Sequence, residues 1–525
     1  MDSFDYIIIG SGPAGVAAAR KLEGPSTCVV DVGGEPASVF PFASLREALA
    51  AGQVRELLGE HWEMLANLVS PGQCHPKLRA AAIRHVMQGE LFQVFGYDGG
   101  LLVRGRGSYA AGGMANAWGA QLLRYTEADL TEIGDWPISV SELDKYYADL
   151  EAHIGISGEQ DDMASFLGST DDLLPPVPIA SAAQYLLNRY AAKRDSTGLM
   201  GLKIGRARLA VLTRPHLGRA AYEFGETEFF TTGQMGLYTP RQSLAALRER
   251  GLIKYLGGYK LRTYRERPEY VEIEIEEVST KNRRSLRARH LLLGCGAVQT
   301  ARLVLMDRAQ AGQSLSFIDH PPTLLPIFFP AKFGSKLPSH SFPIQLVGTM
   351  AGHGTRDMIS FYYPGGMLWS DLLPDIPLPM DSACIALSVL MSGMLVAQIW
   401  EPSKPTQGNR LCLEGDGSVR IDYADRHRYP KLPVLLSALR MLGGISLQRL
   451  ASMSPPSWGF HHAATLPMRR APGPFETHTD GRLWDSRRIR VIDGSVLPSL
   501  PAKNHSLTIM ANAARIAEQV KTCGY

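Results

Sequence analysis

Two groups of residues at opposite ends of the 525-residue chain have types and spacings that chemistry can use. Gly10, Gly12 and Gly15, with Ser11 and Ala14 between them, complete a G-x-G-x-x-G turn directly after the apolar run Tyr6-Ile7-Ile8-Ile9. Such a run predicts a parallel strand buried on both faces. The glycines permit a tight turn and let backbone approach a pyrophosphate. The helix that follows, Val16 to Leu22, aims its N-terminal amides at that anion. The next strand, Thr27 to Val30, ends at Asp31, where the fingerprint needs a carboxylate for a ribose hydroxyl. The far end reads as a strand (Ile489-Arg490-Val491-Ile492), an Asp493-Gly494 turn and a helix start carrying Asn504, His505, Ser506 and Leu507. A dinucleotide site opened at one end of the chain and completed from the other is a flavoenzyme layout. The placement a few residues from the start favours FAD over NAD.

The elements that must hold these groups are spread along the whole chain. Residues 36–110 read as a helical excursion, with helical spacing in Ser44 to Leu58 and His75 to Gln88. Small residues beside an aromatic follow in Gly112-Gly113-Met114-Ala115-Asn116-Ala117-Trp118, a composition suited to lying against a planar ring. Ser139 and Glu142 form a capping box that opens a helix through Tyr146, Tyr147 and Leu150. A helix at Pro240 to Arg250 leads to strands at Ile253 to Leu256, at Tyr259-Lys260-Leu261 and at Tyr270 to Val278. Strict alternation in Val271 to Ile275 marks a half-solvated strand. The buried run His290 to Leu293, the Gly294-Cys295-Gly296-Ala297 turn and a helix at Thr300 to Met306 form a second strand–glycine–helix unit. Beyond it, strands at Pro343 to Val347, Cys384 to Leu390 and Val419 to Tyr423 and helices at 433–451 predict a mostly antiparallel second lobe.

Composition narrows the class. Hydrophobic residues at 45% and charged residues at 20% suit a globular protein with a large core. A net charge of +3 is too small to imply nucleic acid or an anionic membrane as partner. Cys28, Cys74, Cys295, Cys384, Cys412 and Cys523 contain no C-x-x-C pair. A metal site and a disulfide scaffold are therefore not expected, and a reducing compartment is. No signal peptide or membrane-length apolar run appears, so the expectation is a soluble, cytoplasmic protein.

Taken in order, these motifs resemble the glucose–methanol–choline (GMC) oxidoreductases. The resemblance runs from Gly10–Gly15 through Gly112–Trp118, Asp135-Trp136-Pro137-Ile138, Gly294–Gln299 and Asp319-His320-Pro321. It continues through His461-His462-Ala463-Ala464-Thr465-Leu466-Pro467-Met468, Asp493-Gly494 and Asn504–Ile509. Gly112–Trp118 and the Asn409–Tyr423 region look most like the pyranose oxidase and sugar dehydrogenase branch. The resemblance implies an α/β, two-lobed α+β fold: a Rossmann-like FAD-binding domain with a mostly antiparallel substrate-binding domain. FAD-binding segments would be 1–155, 236–311 and 456–525. Substrate-domain segments would be 156–235 and 312–455.

The implied chemistry is FAD-dependent oxidation of CH–OH to C=O on a sugar or sugar-like polyol. The electrons would pass to O2 or another acceptor. A base must take the hydroxyl proton while hydride passes to flavin N5. His461, seven residues before Met468, matches the base, and a neutral imidazole suits that task near pH 7. Asn504 matches a second polar group that holds the substrate oxygen. The cofactor set would comprise Gly10, Ser11, Gly12, Ala14, Gly15, Asp31, Gly113, Met114, Asn116, Ala117, Trp118, Lys260, Leu261, Gly296, Asp493, Gly494, Ser506 and Leu507. Three departures matter. Ala464 stands where the family often has glycine. His462 leaves the choice of base open. His505 stands where proline is frequent, so it can share the second role. Ala117 occupies the position at which some relatives attach FAD through a histidine, so FAD is expected to be non-covalent. His290 and His320 read as structural. The alternatives are a non-sugar alcohol oxidase or dehydrogenase of a biosynthetic pathway, or a lyase of the same fold in which flavin is structural. A homo-oligomer is possible.

Overall fold

The computed structural model describes residues 2–34, 86, 88–170, 172–224, 235–308, 312–337, 342–352, 354–364, 376–424 and 429–523. The first sheet grows from the N-terminal apolar run. β1 (Asp2–Ile9) pairs in parallel with β2 (Thr27–Val30) on one side and β9 (Arg283–Leu293) on the other. β6 (Lys254–Leu256) extends the parallel set beyond β2, and β18 (Ile489–Val491) joins the end of β9. β7 (Tyr259–Glu266) and β8 (Val271–Glu277) complete the sheet as an antiparallel meander on β9. Helix α1 (Pro13–Lys21) buries its alanine-rich face. The C-terminal helix α8 (Ser506–Cys523) packs against it. The turn between β1 and α1 depends on glycine, because a Cβ on Gly15 would stand 1.9 Å from the Gly10 carbonyl oxygen.

Helix α2 (Asp144–Ile154) follows the Ser139–Glu142 capping box, both halves of which form. Helices α4 (Pro240–Glu249) and α5 (Ala297–Arg308) stand where the sequence placed them. A second core lies under an antiparallel sheet ordered β17-β11-β14-β13-β12-β5. Its strands are β5 (Leu202–Arg206), β11 (Thr323–Phe328), β12 (Ile344–Gly352), β13 (Thr355–Tyr362), β14 (Met394–Trp400) and β17 (Ser452–Met453). Helices α3 (Ser181–Ala192) and α7 (Leu432–Met441) pack on it.

Four readings need correction. Cys384 to Leu390 is not a strand but the centre of helix α6 (Met380–Met391). Ala383, Leu387 and Met391, four residues apart, are buried, while Ile385 and Val389 are exposed; a short apolar run alone does not separate the two states. The helix expected over 433–451 stops at Met441, before Gly443, whose φ of +86° is left-handed. Within the supposed helical excursion, β3 (Leu91–Gly96) and β4 (Leu101–Arg106) form a hairpin. The helices expected at Ser44–Leu58 and His75–Gln88 fall mainly outside the described residues. Finally, β15 (Arg410–Leu413) and β16 (Val419–Tyr423) do not join the second-lobe sheet. With β10 (Ser314–Ser316) they pair onto β3, and their apolar faces join the first core.

Candidate active site

The glycine turn gathers three distant segments. Ser11 Oγ accepts the Gly112 amide at 2.9 Å and donates to the Asp31 carboxylate. Burial pushes that carboxyl up to about 6, against hydrogen bonds from Ser11, Val32 and Gly33. Gly113 lies against the same turn: a Cβ on it would stand 3.2 Å from Gly12 Cα. A Cβ on Gly12 would meet nothing within 4 Å among the described residues. Helix α1 has no side-chain cap and no acidic residue in its first turn, so its positive end opens onto that space.

Other expected cofactor residues are held inward. Asn116 Nδ2 braces the Gly113–Ala117 turn through Ala111 O and Gly113 O, both at 2.8 Å. Trp118 Nε1 donates to Tyr238 O at 2.9 Å. Met114 is half-buried and Ala117 buried beside them. Lys260 Nζ pairs with Glu90 at 3.0 Å and lies over the Tyr109 ring, and Leu261 is buried in the first core. Asp493 accepts from the Gly296 amide at 2.8 Å, from Thr300 Oγ1 and from the Ser495 amide at 3.0 Å. Its carboxylate therefore locks the Gly296 turn to the C-terminal segment.

The histidine site is assembled by backbone pairing. Ile318 and Ala463 exchange two hydrogen bonds of 3.0 Å as an isolated antiparallel bridge. Two residues further along each strand, in opposite directions, lie His320 and His461. Their Nδ1 atoms are 3.2 Å apart. His320 Nε2 bonds the Glu401 carbonyl. Trp400 stacks on His461 with ring centroids 4.7 Å apart at 27°, and the His505 ring stands 4.8 Å from His461, tilted by 57°. All four rings are buried. Burial pushes His320 down to about 4 and His505 to about 3, so both are neutral at pH 7. The His505 ring bonds the backbone of His462 while its Nδ1 has no partner among the described residues, which places its proton on Nε2. Asn504 Oδ1 and Trp400 Nε1 are also buried without a hydrogen-bond partner among the described residues.

His462 points elsewhere. Its Nε2 bonds Ser457 Oγ at 3.0 Å and lies 3.9 Å from Asp319, and its ring packs against Phe92 and Phe317. The loop that carries both histidines is strained: Ser457, Phe460 and Ala464 have φ of +68°, +55° and +58°. Ala464 thus occupies a left-handed position, which accounts physically for the glycine expected there. His320, Trp400 and the Glu401 carbonyl were missed as site members. The only sequence signal was Asp319-His320-Pro321, which reads as a loop until the bridge at Ile318 is known. Among the described residues, no group of three or more His, Cys, Asp and Glu side chains is placed to hold a metal ion. No helix among them is long and apolar enough to cross a membrane.

Residues 451–513 match the family model described as GMC oxidoreductase. This segment contains His461, His462, Asp493, Asn504 and His505. The chain is 25% identical to the 2-methyl-1,2-propanediol dehydrogenase of Mycolicibacterium austroafricanum, over 75% of this chain and 76% of that protein. Its fold matches the crystal structure of pyridoxine 4-oxidase from Mesorbium loti with a TM-score of 0.61. That match covers 98% of this chain and 99% of the other at 14% identity. These likenesses support the GMC oxidoreductase family. They support an alcohol-oxidising enzyme that acts on CH–OH donors. His461, the Asp493 turn and the start of α8 come from one C-terminal segment, which Asp493 ties to the Gly296 turn.

Proposed function

We propose that the chain binds FAD non-covalently and oxidises a CH–OH group of a sugar or sugar-like polyol, with His461 as proton acceptor. The observation that carries the reading is the convergence of His461 with His505 at the start of α8. There Asn504 Oδ1 and His505 Nδ1 have no hydrogen-bond partner among the described residues. The residues present fit the cofactor. The space beyond Gly12, the uncapped start of α1 and Asp31 suit a pyrophosphate and ribose. The start of α8, at Ser506 and Leu507, suits an electron-rich ring edge. Bound FAD would supply the hydride acceptor.

The side chains around that space divide the remaining work. His461 takes the hydroxyl proton, and the face of Trp400 shields the ring and favours the imidazolium that results. Asn504 holds the substrate oxygen through its amide. His505 is a poor base, since a group titrating near 3 holds a proton weakly at neutral pH; its Nδ1 accepts a hydrogen bond instead. The electrons leave to O2 or another acceptor. A non-sugar alcohol is the second reading, favoured by the diol dehydrogenase and pyridoxine oxidase to which the chain is similar.

Anaerobic mixing with a panel of sugars, glycosides, small diols and aromatic alcohols tests both. Bleaching of the yellow flavin absorbance by a sugar supports the first reading, and by a diol or aromatic alcohol alone the second. Turnover without bleaching would make this a lyase. His461→Ala is expected to keep the yellow colour and lose flavin reduction. Reduction at the parent rate would remove His461 from the role.

A further inference from the structure

We infer that His320 is a positioning residue: it fixes the proton of His461 on Nδ1 and so presents Nε2 of His461 as the proton acceptor. The inference deepens the reading above and rests on it for the identity of the base. It follows from which atoms can donate. The Glu401 carbonyl only accepts, so His320 Nε2 carries a hydrogen. Burial keeps His320 neutral, so its Nδ1 is bare. A bare Nδ1 at 3.2 Å from His461 Nδ1 accepts, and His461 must donate from Nδ1. The neutral His461 ring then has its lone pair on Nε2.

During reaction the substrate O–H bond breaks and its proton moves to His461 Nε2. His461 becomes an imidazolium that still donates Nδ1–H to His320, and His320 keeps its own proton throughout. The acceptor therefore favours the charged ring. The titratable groups around the pair are His505 from the start of α8, His462 and Asp319 behind the loop, and Glu401 at the end of β14. Burial raises the Glu401 carboxyl to about 7, and it lies in the field of Asp357 and Lys431.

The test compares His320→Leu, which removes the acceptor, with His320→Asn, whose Oδ1 can replace Nδ1. Anaerobic flavin reduction would be followed against pH and substrate concentration. His320→Leu is expected to lower the limiting rate about 100-fold with substrate affinity within about threefold. The acid limb should move down by about one pH unit, as loss of an acceptor for the charged ring requires. His320→Asn should recover most of both. Side-chain 15N NMR of labelled histidines, assigned by the signals lost in His461→Gln, reads the tautomer without turnover; protonation of His461 on Nδ1 is expected. A leucine variant with the parent's rate and acid limb overturns the inference, as does an Nε2–H tautomer in the parent. If His320→Leu does not fold, the asparagine variant and the NMR of the parent decide. A parent whose flavin no alcohol bleaches refutes the proposed function, and the tautomer then still decides the positioning claim.

Discussion

Replacing Asp493 by alanine should loosen the joint between the Gly296 turn and the C-terminal segment. Its carboxylate, 3% exposed, satisfies three donors: the Gly296 amide, Thr300 Oγ1 and the Ser495 amide. Gly296 and Thr300 belong to the turn and first coil of α5, and Ser495 to the segment that runs beside the His461 loop. Alanine leaves these donors buried without the acceptor. At about 1–3 kcal/mol for each unsatisfied group, and with Thr300 still accepting from the Cys295 amide at 3.2 Å, the loss is about 4 kcal/mol. Asparagine keeps one oxygen. Turned toward Gly296 and Thr300 it sets its own amide against the Ser495 N–H, a loss of about 2 kcal/mol. Hydrogen exchange at 294–300 and 493–497, with urea unfolding of the FAD-loaded protein, measures both effects. The alanine variant should exchange fast at both segments, with the asparagine variant between it and the parent. An alanine variant within 1 kcal/mol of the parent, with unchanged exchange, would refute the clamp.

Four further outcomes are expected. Gly15→Ala should not fold a working β1–α1 turn, because its Cβ falls 1.9 Å from the Gly10 oxygen. Gly12→Ala should fold, losing about 1 kcal/mol or less at the helix cap, yet take up FAD poorly; full FAD content in Gly12→Ala would count against the cofactor placement. Ala464→Gly should raise thermal stability by about 1 kcal/mol, since it relieves a left-handed alanine at φ +58°; a fall in melting temperature would count against that strain. Burial, with Arg20 and Arg219 nearby, lowers His153 to about 4. The unfolded chain then binds the extra proton between about pH 6.5 and 4, so stability falls as pH falls through that window, by about 1.4 kcal/mol per unit. His153→Gln, which keeps a partner for Ser243, should lose this dependence; a parent–variant difference unchanged between pH 7.5 and 4.5 would refute it.

The parts of the molecule legible in the sequence are those whose physics is local. The turn at Gly10–Gly15 is set by spacing and sterics, the Ser139–Glu142 box by two reciprocal hydrogen bonds, and β8 by alternation against one core. Each needs only neighbours in the chain. Helix α6 was misread because Cys384 to Leu390 is apolar but for Ser388, and its four-residue burial period appears only once one face is covered. The β3–β16 pairing was not legible because strands so far apart in the chain meet through backbone groups that carry no side-chain signature.

The histidine site shows the same limit at its sharpest. His461 was accessible through its distance from Met468, but its partner was not, since no spacing relates residues 320 and 461. What relates them is register: once Ile318 pairs with Ala463, period-two geometry carries the two histidines to facing positions. A one-residue slip would turn His462 toward His320 and send His461 into the apolar pocket of Phe92 and Phe317. The positive φ values at Ser457, Phe460 and Ala464 are then intelligible as the backbone's concession to that register. Strain of this kind persists only where surrounding contacts over-determine it. Here those contacts are the Ile318 bridge on one side and the hydrogen bonds from Ala464, Leu466 and Met468 to Gly494, Ser495 and Val496 on the other. The base is thus held between two ladders from distant parts of the chain, and its chemistry depends on both.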